Sequence, residues 1–245
     1  MNIFDRSIAH LTFTHSDCDD VLHIYLSQMR KHFKAKIDHY IGIDRKPLSP
    51  PIDTELIIYD DKKPYPSRLL QCLEALEDRD FIFFDHEDMF LYADPDLAKI
   101  GEYYKILKSG QLDHIRLIKG GDCIFNALQS CPTLYKFDLK SKWIFSIQPS
   151  LWRRTTLISI LKENPEVDIW SLERLSQRVV RRLNLAAAFS YRTGLRRGAH
   201  HFDNDVYPYI ATALGKGKWN LGEYGKELEP LLREHNIDPT VRGWF

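Results

Sequence analysis

The chain has 245 residues, of which 34 are basic and 34 acidic, so its formal net charge is zero. Apolar residues make up 44% of it and aromatic residues 12%, a composition that excludes intrinsic disorder. A balanced charge also argues against a protein whose whole surface binds a polyanion. A chain of this length can bury a large core, and we expect a soluble α/β domain.

The cysteines and the apolar runs restrict the setting further. The four cysteines, Cys18, Cys72, Cys123 and Cys131, form no CxxC pair, which excludes a zinc knuckle and a dense disulfide framework. No run approaches the roughly 18 apolar residues of a membrane span, and the N-terminus is too polar for a signal peptide. We therefore expect reduced thiols and a cytoplasmic location, with peripheral membrane contact left open.

The first ninety residues alternate between strand-like and helix-like patterns. We predict helices around 22–33 and 67–76, and strands at 8–14, 40–43, 55–59 and 81–84. The last of these strands is apolar at every position, which is typical of a strand covered by helices on both faces. Such alternation predicts a largely parallel sheet with right-handed crossovers. We interpret the KPLSPP tract at 46–51 as a loop and predict a single domain over 1–245.

The second half of the chain has a less regular pattern. We predict strands at 115–118 and 143–147, and helices around 97–107, 153–161, 170–185 and 223–235. In the last helix we expect Pro230 to cause a break or a restart, because proline removes a hydrogen bond of the helix.

Acidic residues follow the predicted strands where they end. Asp44 follows the second strand, Asp60 and Asp61 follow the third, and Asp85-His86-Glu87-Asp88 follow the fourth. Ligands of open α/β sheets bind beyond the carboxyl ends of the strands. Carboxylates there suit Mg²⁺ or Mn²⁺, which would neutralise a departing diphosphate. The tetrad is equally typical of a solvated turn that caps the next helix.

Two common phosphate-binding patterns are absent from the sequence. There is no GxxxxGK[ST] and no GxGxxG, so a P-loop nucleotidase and a dinucleotide-binding dehydrogenase are both unsupported. A phosphate site in this chain would therefore be based on a metal.

Several sequence blocks together give the chain a resemblance to a known family. They are FIFFDHEDMFL, IFSIQPSLWRRTTLISIL, IWSLE and KGKWNLGEYGKELEPLL, with a late IDPTVRG. From about residue 8 to its end, the chain resembles a group of bacterial and viral nucleotide-sugar glycosyltransferases of the GT-A fold. The resemblance implies a GT-A (Rossmann-like) α/β domain with a central, mostly parallel sheet flanked by helices. Residues 1–110 would bind the nucleotide sugar, and residues 111–245 would bind the acceptor and include the C-terminal helices.

The resemblance also implies a metal site. It places a DxD-like motif at His86-Glu87-Asp88, with Asp88 as the direct ligand of Mn²⁺ or Mg²⁺ and Glu87 supporting it. His86 departs from the usual motif and is a candidate contact of the donor. The late pair His200-His201 could supply a further metal ligand, which we assign to His201, although adjacent histidines on a loop more often have no such role.

Two carboxylates are candidates for the catalytic base. The family's W-x-x-E pattern falls on Trp170 to Glu173, which makes Glu173 the candidate that takes a proton from the acceptor hydroxyl. A positioned carboxylate contributes roughly 10²- to 10⁴-fold in such a role. Glu173 could instead stabilise the start of a helix or pair with a following arginine. Asp168 is the alternative base.

The remaining candidates would bind the donor. In the family's Q-P-x-x-W block, Gln148 and Trp152 would form a wall of the sugar or acceptor pocket, because sugars pack on aromatic rings and amides bind their hydroxyls. Trp152 could equally be a core residue. The residues assigned to the nucleotide and its ribose are Thr14, His15, Asp17, Asp44 and Arg68.

The sequence thus predicts a metal-dependent glycosyltransferase that moves a sugar from a nucleoside diphosphate sugar to an acceptor hydroxyl, with inversion, in glycan or polysaccharide synthesis. The acceptor would be a glycan or a lipid-linked saccharide. A metal-dependent phosphohydrolase or nucleotidyltransferase is the first alternative. The second is an anion-binding module that uses the seven arginines between 174 and 197 to hold nucleic acid or anionic lipid. With zero net charge, we expect no nucleic-acid partner.

Overall fold

The computed structural model describes residues 3–47, 53–121, 123–197 and 201–245, which leaves positions 48–51 of the predicted loop outside the described residues. The helices are α1 (Asp19–His32), α2 (Tyr65–Glu74), α3 (Leu97–Lys108), α4 (Arg154–Lys162), α5 (Ile169–Arg182), α6 (Leu221–Glu234) and α7 (Pro239–Arg242). The strands of the first half are β1 (Ile8–Phe13), β2 (Asp38–Ile43), β3 (Glu55–Ile58), β4 (Phe81–His86), β5 (His114–Arg116) and β6 (Phe125–Ala127). Those of the second half are β7 (Leu134–Phe137), β8 (Ser150–Arg153), β9 (Ala187–Ser190), β10 (Arg196–Arg197), β11 (His201–Phe202), β12 (Leu214–Gly215) and β13 (Lys218–Trp219).

One mixed sheet contains β1 to β9 in the order β3-β2-β1-β4-β8-β5-β9-β7-β6. Strands β1 to β4 pair in parallel, as do β5 and β9, whereas β8 is antiparallel to both β4 and β5. Strand β7 is antiparallel to β9 and β6. All strands of this sheet except β7 and β8 therefore run in one direction, which confirms the predicted α/β architecture with a mostly parallel sheet.

Strand β4 lies at the centre of the described core. Its neighbours are β1 and β8, and Phe81 to Phe84 are all buried. Alternate side chains point to opposite faces, so Phe81 and Phe83 pack on one side while Ile82 and Phe84 pack on the other. Helices α1, α3 and α6 cover the first face and α2, α4 and α5 the second. The continuous apolar run is thus explained by burial on both faces.

The predicted strand at 143–147 is wrong. The main chain there is irregular, and the strand is Ser150–Arg153, which leads directly into α4. The Gln177 side chain binds the segment instead, because its Oε1 accepts from Ile144 N at 3.0 Å and its Nε2 donates to Phe145 O at 2.7 Å. Ile144, Phe145 and Ile147 are buried by side-chain packing, and hydrogen bonds with the Gln177 side chain replace those of a partner strand.

The predicted break at Pro230 is displaced. Helix α6 continues through Pro230, and its non-helical residue is Tyr224, with φ −124° and ψ 18°. Within the described ranges, no helix is both long enough and apolar enough to cross a bilayer.

Candidate functional site

Asp44, at the end of β2, is held by the turn that follows β1. Its two carboxylate oxygens accept hydrogen bonds from Ser16 N at 2.7 Å and Ser16 Oγ at 2.8 Å. Burial on its own would raise the pKa of Asp44, but the Ser16 hydrogen bonds outweigh it and hold that pKa below its usual value. Ser16 therefore holds a carboxylate that is ionised at neutral pH at the edge of the sheet, while α1 begins without a side-chain cap.

His15 lies beside Asp44, and His15 and Arg68 share the carboxylate of Asp61. His15 Nε2 is 3.8 Å from Asp44 Oδ2 and 3.3 Å from Asp61 Oδ1, and Arg68 Nη1 is 2.8 Å from the same Asp61 oxygen. Asp17 is exposed next to them, and its main-chain N–H donates to His15 Nδ1 at 3.1 Å. The structure thus brings four of the five predicted nucleotide contacts to one rim, and Asp61 joins them.

Thr14 forms the floor of this rim together with Tyr59. Tyr59 Oη donates to the Thr14 carbonyl at 2.7 Å, and its ring stacks on Phe13 with 5.0 Å between centroids. The Arg68 guanidinium lies 5.7 Å from the centre of the same tyrosine ring. Tyr59 was missed in the sequence, where it looked like the last residue of a strand.

Asp85 begins the predicted acidic tetrad but belongs to a buried polar network. It accepts hydrogen bonds from Thr12 at 2.9 Å and Tyr25 at 2.7 Å, and His10 Nε2 is 3.0 Å from its Oδ2. The residue is completely buried, on the inner part of β4. With its oxygens occupied by the protein itself, Asp85 acts as a structural hub beneath the edge of the sheet.

Glu87 and Asp88 follow β4 and lie at the edge itself. Burial raises the pKa of both carboxyls, and in Glu87 the neighbouring charge of Asp88 adds to the effect. Glu87 Oε2 is buried without a hydrogen-bond partner among the described residues, and Asp88 Oδ2 accepts only a long bond, 3.4 Å, from Leu214 N. Two under-compensated carboxylates with oxygen donors fit a hard divalent cation.

The predicted third metal ligand is not gathered with them. His201 lies in β11, where it pairs with Arg197 and bridges to Gly120. Across the described ranges, no group of three or more histidine, cysteine or acidic side chains is placed to hold a metal ion. His200 lies outside the described residues. The assignment of Asp88, Glu87 and His201 to a metal stays a prediction.

His86 makes the link from the acidic edge to α2. Its Nε2 is 2.8 Å from Tyr65 Oη, and the two rings stack at 12°. Burial lowers the pKa of His86 to about 4, so the imidazole is neutral at neutral pH. Burial also raises the pKa of Tyr65, and the charges of Glu173 and Glu87 add to that shift. Tyr65 therefore belongs to this edge through its contact with His86, although nothing in the sequence singles it out.

Glu173 lies in α5, beside the 144–147 segment. Its Oε1 accepts a hydrogen bond from Ile147 N at 2.6 Å, so the carboxylate is held by the 144–147 segment and not by a following arginine. Burial raises the pKa of Glu173, opposed by the Ile147 hydrogen bond and by the charge of Arg116. Asp168 is the exposed N-cap of α5 and accepts from Ser171 N at 2.8 Å.

Gln148 and Trp152 lie inside the protein. Gln148 accepts from Tyr209 Oη at 2.7 Å and donates to Ala211 O at 3.2 Å. Trp152 is 1% exposed and stacks on His114 with 3.6 Å between centroids. The structure therefore shows Trp152 as a core residue. Gln148, just before β8, connects the start of this strand by hydrogen bonds to the chain before β12.

The late IDPTVRG block reaches the same edge of the sheet. Arg242 Nε donates to Asp20 Oδ2 at 2.7 Å, and Arg242 Nη2 donates to Asp17 O at 2.6 Å. The charge of Arg242 opposes the rise that burial causes in the pKa of Cys18, and the charge of Glu87 raises the pKa of Arg242. The C-terminal residues thus close one side of the rim, a role that spacing along the chain does not reveal.

No family model and no curated protein sequence matches this chain. Among solved structures, S. aureus TarS is similar with a TM-score of 0.52 and 13% identity, covering 96% of this chain and 41% of TarS. The bifunctional IspDF from Campylobacter jejuni has a TM-score of 0.45 and 13% identity, covering 76% of this chain and 50% of that one. A CMP:2-keto-3-deoxy-manno-octonic acid synthetase complexed with CTP has a TM-score of 0.46 and 9% identity, covering 75% and 88%.

The similarity to TarS extends over nearly the whole of this chain, although this chain spans less than half of TarS. Together with the strand order, it shows a GT-A-like α/β fold, which confirms the fold that the sequence resemblance implied.

Proposed function

We propose that this protein is a metal-dependent glycosyltransferase that moves a sugar from a nucleoside diphosphate sugar to an acceptor hydroxyl, with inversion, in glycan synthesis. The observation that carries the proposal is the pair Glu87 and Asp88. Glu87 is buried and Asp88 is half-buried at the carboxyl edge of a GT-A-like sheet, and Glu87 Oε2 has no hydrogen-bond partner in the described chain. Burial favours the protonated form of these carboxyls, and a bound divalent cation would displace the protons and hold the ionised form.

The donor half of the proposal uses the rim formed after β1 and β2. Asp44 stays ionised at neutral pH and would accept hydrogen bonds from the ribose hydroxyls. His15 and Arg68 present nitrogen donors within the same group, suited to the nucleotide base and a phosphate. Mn²⁺ or Mg²⁺, held by Asp88 and Glu87, would neutralise the charge that develops on the diphosphate leaving group.

The acceptor half uses Glu173. One of its oxygens is fixed by Ile147 N, which leaves the other to take the proton of an acceptor hydroxyl. A pKa raised by burial brings this carboxylate closer to the working pH, which is what a general base requires. Tyr65 is coupled to both parts of the site: its Oη is 2.8 Å from His86 Nε2, and the charges of Glu173 and Glu87 both raise its pKa. We favour Glu173 over Asp168, whose carboxylate is occupied in capping α5.

The first test is nucleotide binding by thermal shift, with UDP, GDP, CDP and TDP, each with and without Mn²⁺. A ligand that binds only the folded state raises its stability by about 2.7 kcal/mol at a hundredfold excess over Kd. We expect one nucleotide to give a shift that needs Mn²⁺ and disappears in Asp88→Asn. The exposed Glu234→Gln, with the same charge change, is the control and keeps the shift. No shift with any nucleotide would refute the proposed donor site.

Product analysis separates glycosyl transfer from the nucleotidyltransferase alternative. With a nucleoside diphosphate sugar and an acceptor mixture, a glycosyltransferase releases the nucleoside diphosphate and forms a new glycosidic bond. A nucleotidyltransferase consumes a nucleoside triphosphate and a sugar phosphate and releases pyrophosphate. If the protein turns over only the nucleoside triphosphate and the sugar phosphate, it is a nucleotidyltransferase. That result would contradict the proposed reaction but not the proposed nucleotide site.

A further inference from the structure

The surface of α5 that faces solvent is both basic and aromatic. Trp170 is followed at intervals of about one helical turn by Arg174, Arg178 and Arg181, and all four residues are exposed. We use the name α5 face for this surface together with the exposed residues of the segment beside it. Its members are Trp170, Arg174, Arg178, Arg181, Lys140, Lys142 and Trp143.

Hydrogen bonds hold the two parts of the α5 face side by side. Arg181 Nε donates to Leu139 O at 2.8 Å, and Arg181 Nη2 donates to Ser141 O at 2.9 Å. One turn earlier, Gln177 holds the main chain of Phe145. The segment therefore runs along α5, and Lys140, Lys142 and Trp143 flank the helix.

The positive charge of the α5 face is not neutralised by the acids near it in sequence. Glu163 pairs with Arg182 at 2.6 Å, and Asp168 is taken up in capping the helix. Within the described residues, no carboxylate lies within 4.0 Å of a charged nitrogen of Arg174 or Arg178. A molecule with zero net charge thus carries a local cationic surface.

The two indoles of the α5 face are unusually exposed for their size. Trp170 is 68% exposed and Trp143 is 47% exposed. Tryptophan beside arginine and lysine is the composition of surfaces that lie at the lipid–water boundary, where the indole enters the headgroup layer and the cations attract anionic lipids. From this combination we propose that the α5 face docks the protein on the surface of an anionic bilayer.

The shape of the α5 face favours a membrane over nucleic acid. Proteins that hold single strands use a groove that tracks the backbone and stacks successive bases on aromatic rings. Here Arg174, Arg178 and Arg181 lie on the exposed side of one helix, and Lys140 and Lys142 lie on the segment beside it. Cations spread over one exposed surface in this way can contact anionic headgroups together. Docking needs no turnover, so this inference stands or falls separately from the proposed transferase reaction.

The test is co-sedimentation of the full chain with vesicles. We expect binding to phosphatidylcholine vesicles that contain about one third phosphatidylglycerol, weak binding to pure phosphatidylcholine, and loss of binding at high salt. The double variant Arg174→Glu, Arg178→Glu should bind at least about tenfold more weakly, since each basic residue near the surface contributes to the attraction. Trp170→Ala should weaken binding under the same conditions.

A matched variant controls for total charge. Arg30→Glu, Lys36→Glu makes the same charge change at two exposed positions at and after the end of α1, and it should bind vesicles like the wild type. All variants are checked for unchanged thermal unfolding. Equal loss of binding in both double variants, or no preference for anionic vesicles, would overturn the inference. So would preferential binding to a single-stranded oligonucleotide that vesicles cannot displace.

Discussion

At the scale of single residues, the acids at the edge of the sheet differ in what surrounds them. Asp44 and Asp85 have their oxygens occupied by hydrogen-bond donors from the protein, whereas Glu87 keeps one buried oxygen without a partner in the described chain. All three look alike in the sequence, as acids at or just after the ends of predicted strands. Their partners come from elsewhere in the chain, so only the folded arrangement shows which carboxylate oxygens already accept hydrogen bonds from the protein and which do not.

Asp44→Ala should destabilise the protein and remove donor binding. It leaves the Ser16 main-chain N–H without its acceptor, which costs about 1–3 kcal/mol when a partly buried group is involved. Because the folded pKa of Asp44 is lowered, its stabilisation is fully present above the ordinary aspartate pKa and is lost as the pH falls through the lower folded pKa. The measurement is urea unfolding of both proteins at neutral pH and below about pH 4. The difference in free energy of unfolding between variant and wild type should be smaller at the lower pH.

Glu173→Gln should reduce transfer roughly 10²- to 10⁴-fold with little change in nucleotide binding. Burial raises the pKa of Glu173, so wild-type activity should fall as acidification protonates it, at a pH above the ordinary glutamate value. The measurement is kcat/KM against pH for both proteins. If kcat/KM of the Glu173→Gln protein still falls at low pH as it does in the wild type, another group is the base.

At the scale of elements, helices α1 to α6 and strands β1 to β4 could be predicted from the sequence, and most strands of the second half could not. Strands β1 and β4 and helices α4 and α5 follow from their apolar spacing, because one core dictates that spacing. The 143–147 segment has the composition of a strand, but the side chain of Gln177 takes its main-chain groups. The choice between a strand and an irregular segment depends on a residue more than thirty positions away.

Helix α5 offers a test of the two base candidates. Asp168→Ala removes the N-cap hydrogen bonds to Ser171 and should lower the melting temperature modestly, since an exposed start of a helix loses its cap. Transfer should be unchanged. Circular dichroism on heating, measured beside the transfer rate, checks both parts. A large loss of rate at unchanged fold would instead favour Asp168 as the base.

At the scale of the whole molecule, balanced charge predicts how the protein behaves in solution. With 34 basic and 34 acidic residues and a pI of about 7.1, the molecule has almost no net repulsion near neutral pH. A cationic α5 face and an acidic edge of the sheet then favour association between copies at low salt. Light scattering should show the greatest self-association near pH 7, with a decrease on moving away from that pH or on adding salt.

The position of β8 has a consequence for synthesis on the ribosome. Strand β4 ends at residue 86, but one of its two partners, β8, begins at residue 150. A nascent chain that has emerged only as far as α3 therefore holds an apolar strand with one open edge, the kind of edge that pairs with other chains. The sheet around β4 therefore cannot be completed before residues 150–153 have emerged. Truncation within 111–149 should release an aggregating fragment and not a stable nucleotide-binding unit.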